Sequence, residues 1–325
     1  MATSSGKEPQ SETRTGVLRS ARSTRISVIV PVLTHREHLE NLLDSLARQT
    51  LSPDSFDVVV VHNASQPLEL GDQYPFDLQS IAEPDGYSYA ARNKGIGISR
   101  GEVLAFTDAD CVAEPGWLAE ALAILDKDSK ALVAGHIKVF AESSTPSLAE
   151  KHQMTFAFDQ ETNVTYKRGI PTANLVAHRE AFVEVGLFNP DMVSGGDTEW
   201  TRRALHHGYR AVYVPSAVVF HPARRTVREI RQQRIRHSRA IEAFPTTSSR
   251  VSWFARWVSP RQGVMKRVLK KNGLRKRDKV SVFGLQLVLS AYQVSLGAVR
   301  ALLPSRQTPM AHKTTKAKER SGSPR

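Results

Sequence analysis

The run Ile26, Ser27, Val28, Ile29, Val30, Pro31 is a continuous β-branched stretch, of the kind buried on both faces of a parallel sheet, and it predicts the first strand. Thr34 and Glu37 form a capping-box pair ahead of Leu39, Leu42, Leu43 and Leu46, whose spacing predicts a helix with one apolar face. A second strand is predicted over Phe56 to Val61. A helical segment from Tyr87 to Arg100 should stop at Gly101, and a strand over Val103 to Thr107 and a helix over Trp117 to Leu125 should follow. Past Leu132 the pattern becomes mixed. It predicts a strand near Ala131 to Val139, a helix from Ser147 to Asp159, the pairs Asn174 to Ala177 and Arg179 to Val185, and a strand over Val218 to Phe220. Alternation of strand and helix over about 110 residues predicts an α/β fold with a doubly wound, mostly parallel sheet flanked by helices. A nucleotide site is then expected at the carboxyl ends of the strands. No GxGxxG or P-loop follows the first strand, which disfavours a dinucleotide-binding Rossmann enzyme and a P-loop phosphotransferase.

The chain has 325 residues, 40% of them hydrophobic, enough for one core of roughly 200 to 250 residues with some chain left over. Residues 1–24 and 305–325 lack apolar patterning and are expected to be disordered tails, the second one basic. A catalytic domain is expected over 25–245, and a basic, amphipathic helical region over 246–304. No secretory leader is expected at the start. The single cysteine, Cys111, fits a reducing cytosol.

The formal charge of +13 raises the question of nucleic acid. Its distribution argues against that reading. Residues 1–25 carry five basic and two acidic groups, 256–279 ten and one, and 300–325 seven and one, which leaves the body of the chain near −5. An acidic body binds polyphosphate poorly unless a cation intervenes.

Two constellations can carry chemistry. Asp108 and Asp110 sit two residues apart where the fourth strand leaves the sheet, so both carboxylates can reach one hard cation. Two aspartates in an ordinary turn are the alternative. In the run Ser194 to Trp200, Asp197 stands near a helix N-terminus behind Gly195 and Gly196. It is either a capping aspartate or a general base for a hydroxyl. Glu199 is expected to be a solvated helix residue, with acceptor binding as its alternative.

Four segments in order resemble family 2 glycosyltransferases: ISVIVPV at 26–32, VVVVHNAS at 58–65, SYAARNKGIGISRGEVLAFTDADCVAEPGWL at 88–118 and TANLVAHREAFVEVGLFNPDMVSGGDTEW at 172–200. The resemblance covers roughly residues 26–240. It implies a GT-A fold and an inverting single displacement on a nucleoside-diphosphate sugar with Mg²⁺ or Mn²⁺. It also implies site residues. Pro31 and Asn63 would line the nucleoside pocket, and Arg92 and Asn93 would face the donor. Asp108 and Asp110 would hold the metal on the diphosphate, and Asp197 would be the catalytic base. Gln233 and Arg236 resemble the QxxRW element that meets the diphosphate, with a solvated basic helix as the alternative, since 224–239 holds seven arginines. His221 is a candidate metal ligand or phosphate contact, or an ordinary strand-end histidine.

Three positions depart from the family pattern. His62 stands where an aspartate near the base is usual, Gly196 replaces the acidic residue before the base aspartate, and His237 replaces a tryptophan. The first bears on the donor, the other two on the acceptor.

Residues 280–299 carry no charge and have the length of a span. Gln286, Ser290, Gln293 and Gly297 nevertheless draw a polar stripe along the helix. The stripe predicts a helix lying in the membrane interface, with docking on the protein's own domain and a true span as alternatives. The adjoining basic cluster with Trp253, Phe254 and Trp257 supports contact with anionic lipid at the cytoplasmic face of the cell membrane. A glycan or lipid-linked acceptor is then expected, in surface glycan or glycolipid synthesis. No nucleic-acid partner is expected. The rivals are an inactive sugar-nucleotide-binding scaffold and a nucleic-acid-binding protein.

Overall fold

The computed structural model describes residues 25–33, 36–242 and 261–302. Thr34, both tails, Trp253, Phe254 and Trp257 lie outside the described residues. In chain order the elements are β1 (Ile26–Val32), α1 (Arg36–Ala47), β2 (Phe56–His62), β3 (Asp77–Ala82), α2 (Ser88–Ile98), β4 (Val103–Phe106), β5 (Val112–Ala113) and α3 (Trp117–Leu125). Then come β6 (Ala131–Phe140), α4 (Leu148–Phe156), α5 (Gln160–Thr165), β7 (Leu175–His178), α6 (Arg179–Glu184), α7 (Gly196–His206), β8 (Arg210–Pro222), α8 (Val227–Glu242), α9 (Arg261–Lys270) and α10 (Lys276–Leu302).

One eight-stranded sheet runs in the order β3-β2-β1-β4-β7-β6-β8-β5. Strands β3, β2, β1 and β4 pair in parallel, β7 runs against both β4 and β6, and β6 and β8 are parallel again. This mostly parallel sheet between helices is the arrangement that the GT-A resemblance implies. Alternate residues of each central strand feed opposite cores, because successive side chains point to opposite faces. Val28, Val30, Val103, Ala105 and Val133 join the cluster under α1 and α3. Ile29, Leu104, Phe106, Leu132 and Leu175 join the one formed with Tyr89, Phe182, Phe188 and Trp200.

Two strands escaped the sequence pattern: the half-buried edge strand β3 and the two-residue β5. The helix expected over 147–159 is α4, which ends at Phe156, and a separate helix α5 begins just beyond the expected range. Ser147 and Glu150 cap α4 reciprocally. Phe158 then takes a left-handed backbone (φ 52°), and the Asp159 carboxylate accepts from the Thr162 amide to start α5. Strand β8 is far longer than its expected three residues, and it follows β6 past a register break at Gly135/His136. Asn174 fills that break. It accepts from the Trp117 indole (2.8 Å) and donates to the carbonyls of His136 (3.1 Å) and Ala217 (3.0 Å).

Helix α10 lies against α4 and α8, and α9 lies against α10. The polar stripe expected to face a membrane interface instead faces the protein. Arg234 of α8 donates to Gln286 (3.1 Å) and Gln293 (2.8 Å), and His152 of α4 donates to Gln286 (2.7 Å). Lys151 bonds Asp278 at 3.0 Å, while Leu289, Ala149 and Ile230 close a small apolar cluster. Amide side chains on a largely apolar helix are tolerated there because buried partners satisfy them. Among the described residues, no helix is long and apolar enough to cross a membrane.

His152 is 1% exposed, and burial lowers its pKa to about 4. The unfolded chain titrates this group near 6.5, so below that pH it takes up a proton that the fold refuses. Stability is therefore unaffected above about 6.5 and falls as pH drops toward 4, by about 2–3 kcal/mol at pH 4.5. Urea denaturation at pH 7.5 and 4.5 should register this loss, and His152→Gln should reduce it. Equal losses in the two proteins would refute the assignment.

Candidate active site

Because β1, β2, β4 and β8 run the same way, their carboxyl ends share one edge, and Pro31, Asn63, Asp108 and His221 meet there. They line a cavity of about 500 Å³, within the range of small-molecule sites. Asn63 hangs from the first turn after β2, its amide donating to the Val32 carbonyl. Its side-chain Nδ2 is buried and has no protein partner. Such an orphaned donor is expected where a ligand completes the bonding.

Arg92 enters from α2, buried at 3% exposure, and its guanidinium meets Asp108 Oδ1 at 2.5 Å. The far end of α2 is tied to the sheet by Arg179, which donates to the carbonyls of Ile96, Ser99 and Gly101. Gly101 is obligatory at this junction, since a Cβ would stand 2.4 Å from the Ser27 backbone nitrogen.

Asp110 and His221 face each other at 3.8 Å. His221 Nδ1 donates to the Pro222 carbonyl (2.8 Å), which fixes the tautomer and turns the Nε2 lone pair toward the Asp110 carboxylate. Two electron-pair donors directed at one point suit a divalent cation. Cys111 Sγ also lies within 4.8 Å of both ligand atoms. Burial, together with Asp108 and Asp110, raises its pKa well above the usual thiol value, and a soft sulfur is in any case a poor match for a hard cation. A hard cation would fit between Asp110 and His221; Asp108, expected to share it, lines the same cavity but pairs with Arg92 and stands outside this cluster.

Asp197 is the second residue of α7, behind Gly195 in a left-handed conformation (φ 78°). Burial raises its pKa, and the Thr198 amide, Arg92 and Tyr89 oppose that shift. The amide donates to Asp197 Oδ1 at 2.8 Å. Tyr89, bonded to the same carboxylate, has its own pKa raised by burial and by that negative charge. The Tyr89 ring also accounts for Gly196, where a Cβ would stand 2.8 Å from ring carbons. No acidic side chain fits before Asp197 in this chain.

Helix α8 supplies the opposite wall. Gln233, Arg236 and His237 face the cavity, while Arg234 turns to α10, as the helical period requires. Two predicted positions behave differently from the rest. Asn93 does not line the cavity; its amide brackets the Phe188 backbone, donating to the carbonyl (2.8 Å) and accepting from the N–H (3.1 Å). His62 donates from Nδ1 to the Gln66 carbonyl (2.7 Å) and holds the turn that carries Asn63. The sequence reading missed Tyr89 and Arg224, both of which line the cavity. Burial and the neighbouring Arg236 lower the pKa of Arg224. Its position three residues beyond His221 was the available signal.

The model of Glycosyl transferase family 2 matches residues 27–184. Glycosyltransferase AglE of Haloferax volcanii is 31% identical over 205 residues, which cover 61% of this chain and 67% of AglE. The pre-mycofactocin glycosyltransferase of Mycobacterium tuberculosis is 28% identical over 217 residues, 63% of this chain and 44% of that protein. Among solved structures, the mannosyltransferase PcManGT from Pyrobaculum calidifontis, in complex with GDP-Man and Mn²⁺, is 19% identical with a TM-score of 0.49, covering 86% of this chain and 76% of that chain. The family match and the AglE relationship, on an α/β sheet with a cavity at its carboxyl edge, define a sugar-transferring enzyme. The chain belongs to glycosyltransferase family 2.

The close approach of Tyr89 to Gly196 predicts that Gly196→Ala costs about 1–3 kcal/mol, the usual cost of overpacking. In urea denaturation, the added Tyr89→Ala change should recover part of that loss. A double variant as unstable as the sum of the single ones would sink this account.

Proposed function

We propose that this glycosyltransferase moves a sugar from a nucleoside-diphosphate sugar to an acceptor hydroxyl with inversion, in surface glycan or glycolipid synthesis. The observation that carries this reading is one cavity joining an Asp110–His221 pair aimed at a common point with Asp197, a carboxylate of raised pKa on the facing wall. Pro31 and the unpartnered Asn63 amide receive the nucleoside, and Arg224, Gln233 and Arg236 receive the diphosphate, as guanidinium groups suit phosphate oxygens. Asp108, Asp110 and His221 would hold Mg²⁺ or Mn²⁺, which when bound stabilises charge on the departing diphosphate. Asp197 takes the proton from the acceptor hydroxyl as its oxygen attacks the anomeric carbon, and the bond to the diphosphate breaks on the opposite side. A base whose pKa approaches the working pH is better matched to that transfer. Because His62 is occupied by Gln66, the base must be read by something other than a carboxylate at that position.

Thermal shift with a panel of nucleotide-sugars and Mn²⁺ should identify a stabilising donor, and Asp108→Ala should abolish that stabilisation. Asp197→Asn should keep it while turnover falls about 10²- to 10⁴-fold. Turnover of the native enzyme should fall with acid through a pKa above the ordinary aspartate range, because the base works only when ionised. A donor that binds equally with and without metal, or an Asp197→Asn variant of native turnover, would overturn the reading.

We further propose peripheral contact with anionic lipid at the cytoplasmic face of the cell membrane. With its polar stripe turned inward, α10 leaves Val280 (72%) and Val288 (66%) exposed, and Leu269 of α9 is 60% exposed nearby. Lys276, Arg277 and Lys279 adjoin them, and each basic residue at an anionic surface adds about 1 kcal/mol. Cosedimentation with phosphatidylglycerol vesicles should therefore weaken at least tenfold in Val280→Glu/Val288→Glu and weaken in high salt. Retention unchanged by either would refute the contact.

A further inference from the structure

A second cavity, of about 440 Å³, opens between α9, β6 and the end of α4. Phe158 lines both this cleft and the catalytic cavity, its ring packed on His221 at 4.7 Å between centroids. Lys138, Lys266, Lys270 and Lys271 converge on the cleft with Arg267 and a single carboxylate, Asp159. That carboxylate is already spent, since it pairs with Arg267 and caps α5. Arg267 is held further by the Thr162 hydroxyl (2.9 Å). Among the described residues no carboxylate pairs with any of the four lysines; Lys138 rests over the Phe220 ring at 5.1 Å. Burial first, and then the charge of Lys138, lowers the pKa of Lys271. Four ammonium groups without counter-charge repel one another, and a compact polyanion relieves that repulsion. The cleft opens to solvent, so an anionic group carried on a larger molecule can enter it.

We propose that this cleft binds a phosphate or diphosphate group of the acceptor, whose hydroxyl reaches Asp197 on the other side of Phe158. The substrate class is thus a phosphorylated acceptor, and this inference rests on the transfer reaction proposed above. The left-handed backbone of Phe158 (φ 52°) is what places its ring as the partition between the two cavities.

Titration calorimetry of the full chain with inorganic pyrophosphate, in chelator so that the donor cavity lacks metal, tests this directly. Lys138→Gln/Lys271→Gln should weaken binding at least tenfold and leave donor-dependent thermal stabilisation in Mn²⁺ unchanged. Lys266→Gln/Lys270→Gln, both at exposed positions, provides a second variant that does not disturb packing and should also weaken binding. Equal pyrophosphate affinity in the native protein and both variants overturns the proposal, even where the donor still binds. Conversely, a donor that fails to bind while the lysine-dependent pyrophosphate site persists would remove the transfer reading and leave the anion site standing. Phosphatidylcholine vesicles with and without a prenyl monophosphate then identify the source. Lysine-dependent retention only on the prenyl phosphate assigns a lipid-linked acceptor, and pyrophosphate binding without retention assigns a soluble one.

Discussion

A guanidinium removed from water must be paired or its burial is costly, and among the described residues Arg92 meets that demand with one side chain, Asp108. This pair welds α2 to the end of β4 at 2.5 Å. Much of the site follows from it. The Arg92 charge opposes the rise in the pKa of Asp197, its guanidinium lies over the Tyr89 ring, and Tyr89 in turn bonds Asp197. One oxygen of Asp108 is committed to the pair, leaving Asp110 and His221 to offer the open ligand positions. The arginine thus links Asp108, at a strand end, to Asp197, the residue proposed as base, on a helix 89 residues away in sequence.

The parallel half of the sheet was legible because buried parallel strands read as unbroken β-branched runs, as in Ile26 to Pro31 and Val58 to Val61. Residues at strand ends inherited that clarity, so Asp108 and Asp110 could be placed from the pattern, whereas Pro31 and Asn63 were named through the family resemblance. The edge strands could not, because Asp77 to Ala82 is half-buried and mixed in polarity, and Val112 and Ala113 are too short to carry a period. Tyr89 and Arg224 were missed for another reason. Each does its work through contacts made across the fold: Tyr89 reads locally as any helix tyrosine, and the one local signal for Arg224 was its place three residues beyond His221.

The stripe on α10 illustrates how periodicity fixes a face but not its direction. Gln286, Ser290 and Gln293 share one side of the helix whether that side meets lipid headgroups or protein. The deciding information lies far away in sequence, in His152 and Arg234. His152 is buried and Arg234 half-buried, both need partners, and the stripe supplies them. Turning inward, the polar side leaves the apolar side outward, which reverses the geometry expected for the helix without removing its apolar surface.

The two walls of the cavity also differ in origin. Strand ends build the wall proposed to hold the metal, where spacing is set by backbone hydrogen bonds and varies little. Side chains from α7, α8 and the turn at Phe158 build the other, where spacing depends on packing. The departures from the family pattern divide along the same line. His62 serves the turn beside the nucleoside wall, whereas Gly196 and His237 lie where the acceptor is expected to enter. Gly196 is a consequence of the Tyr89 ring rather than a lost function, since the ring occupies the space that an acidic side chain would need. A transferase can alter its acceptor by changing such packed residues while the proposed ligand set at the strand ends stays fixed, because the two walls are built by different elements, joined through Arg92, Tyr89 and Asp197 and through the Phe158 ring on His221.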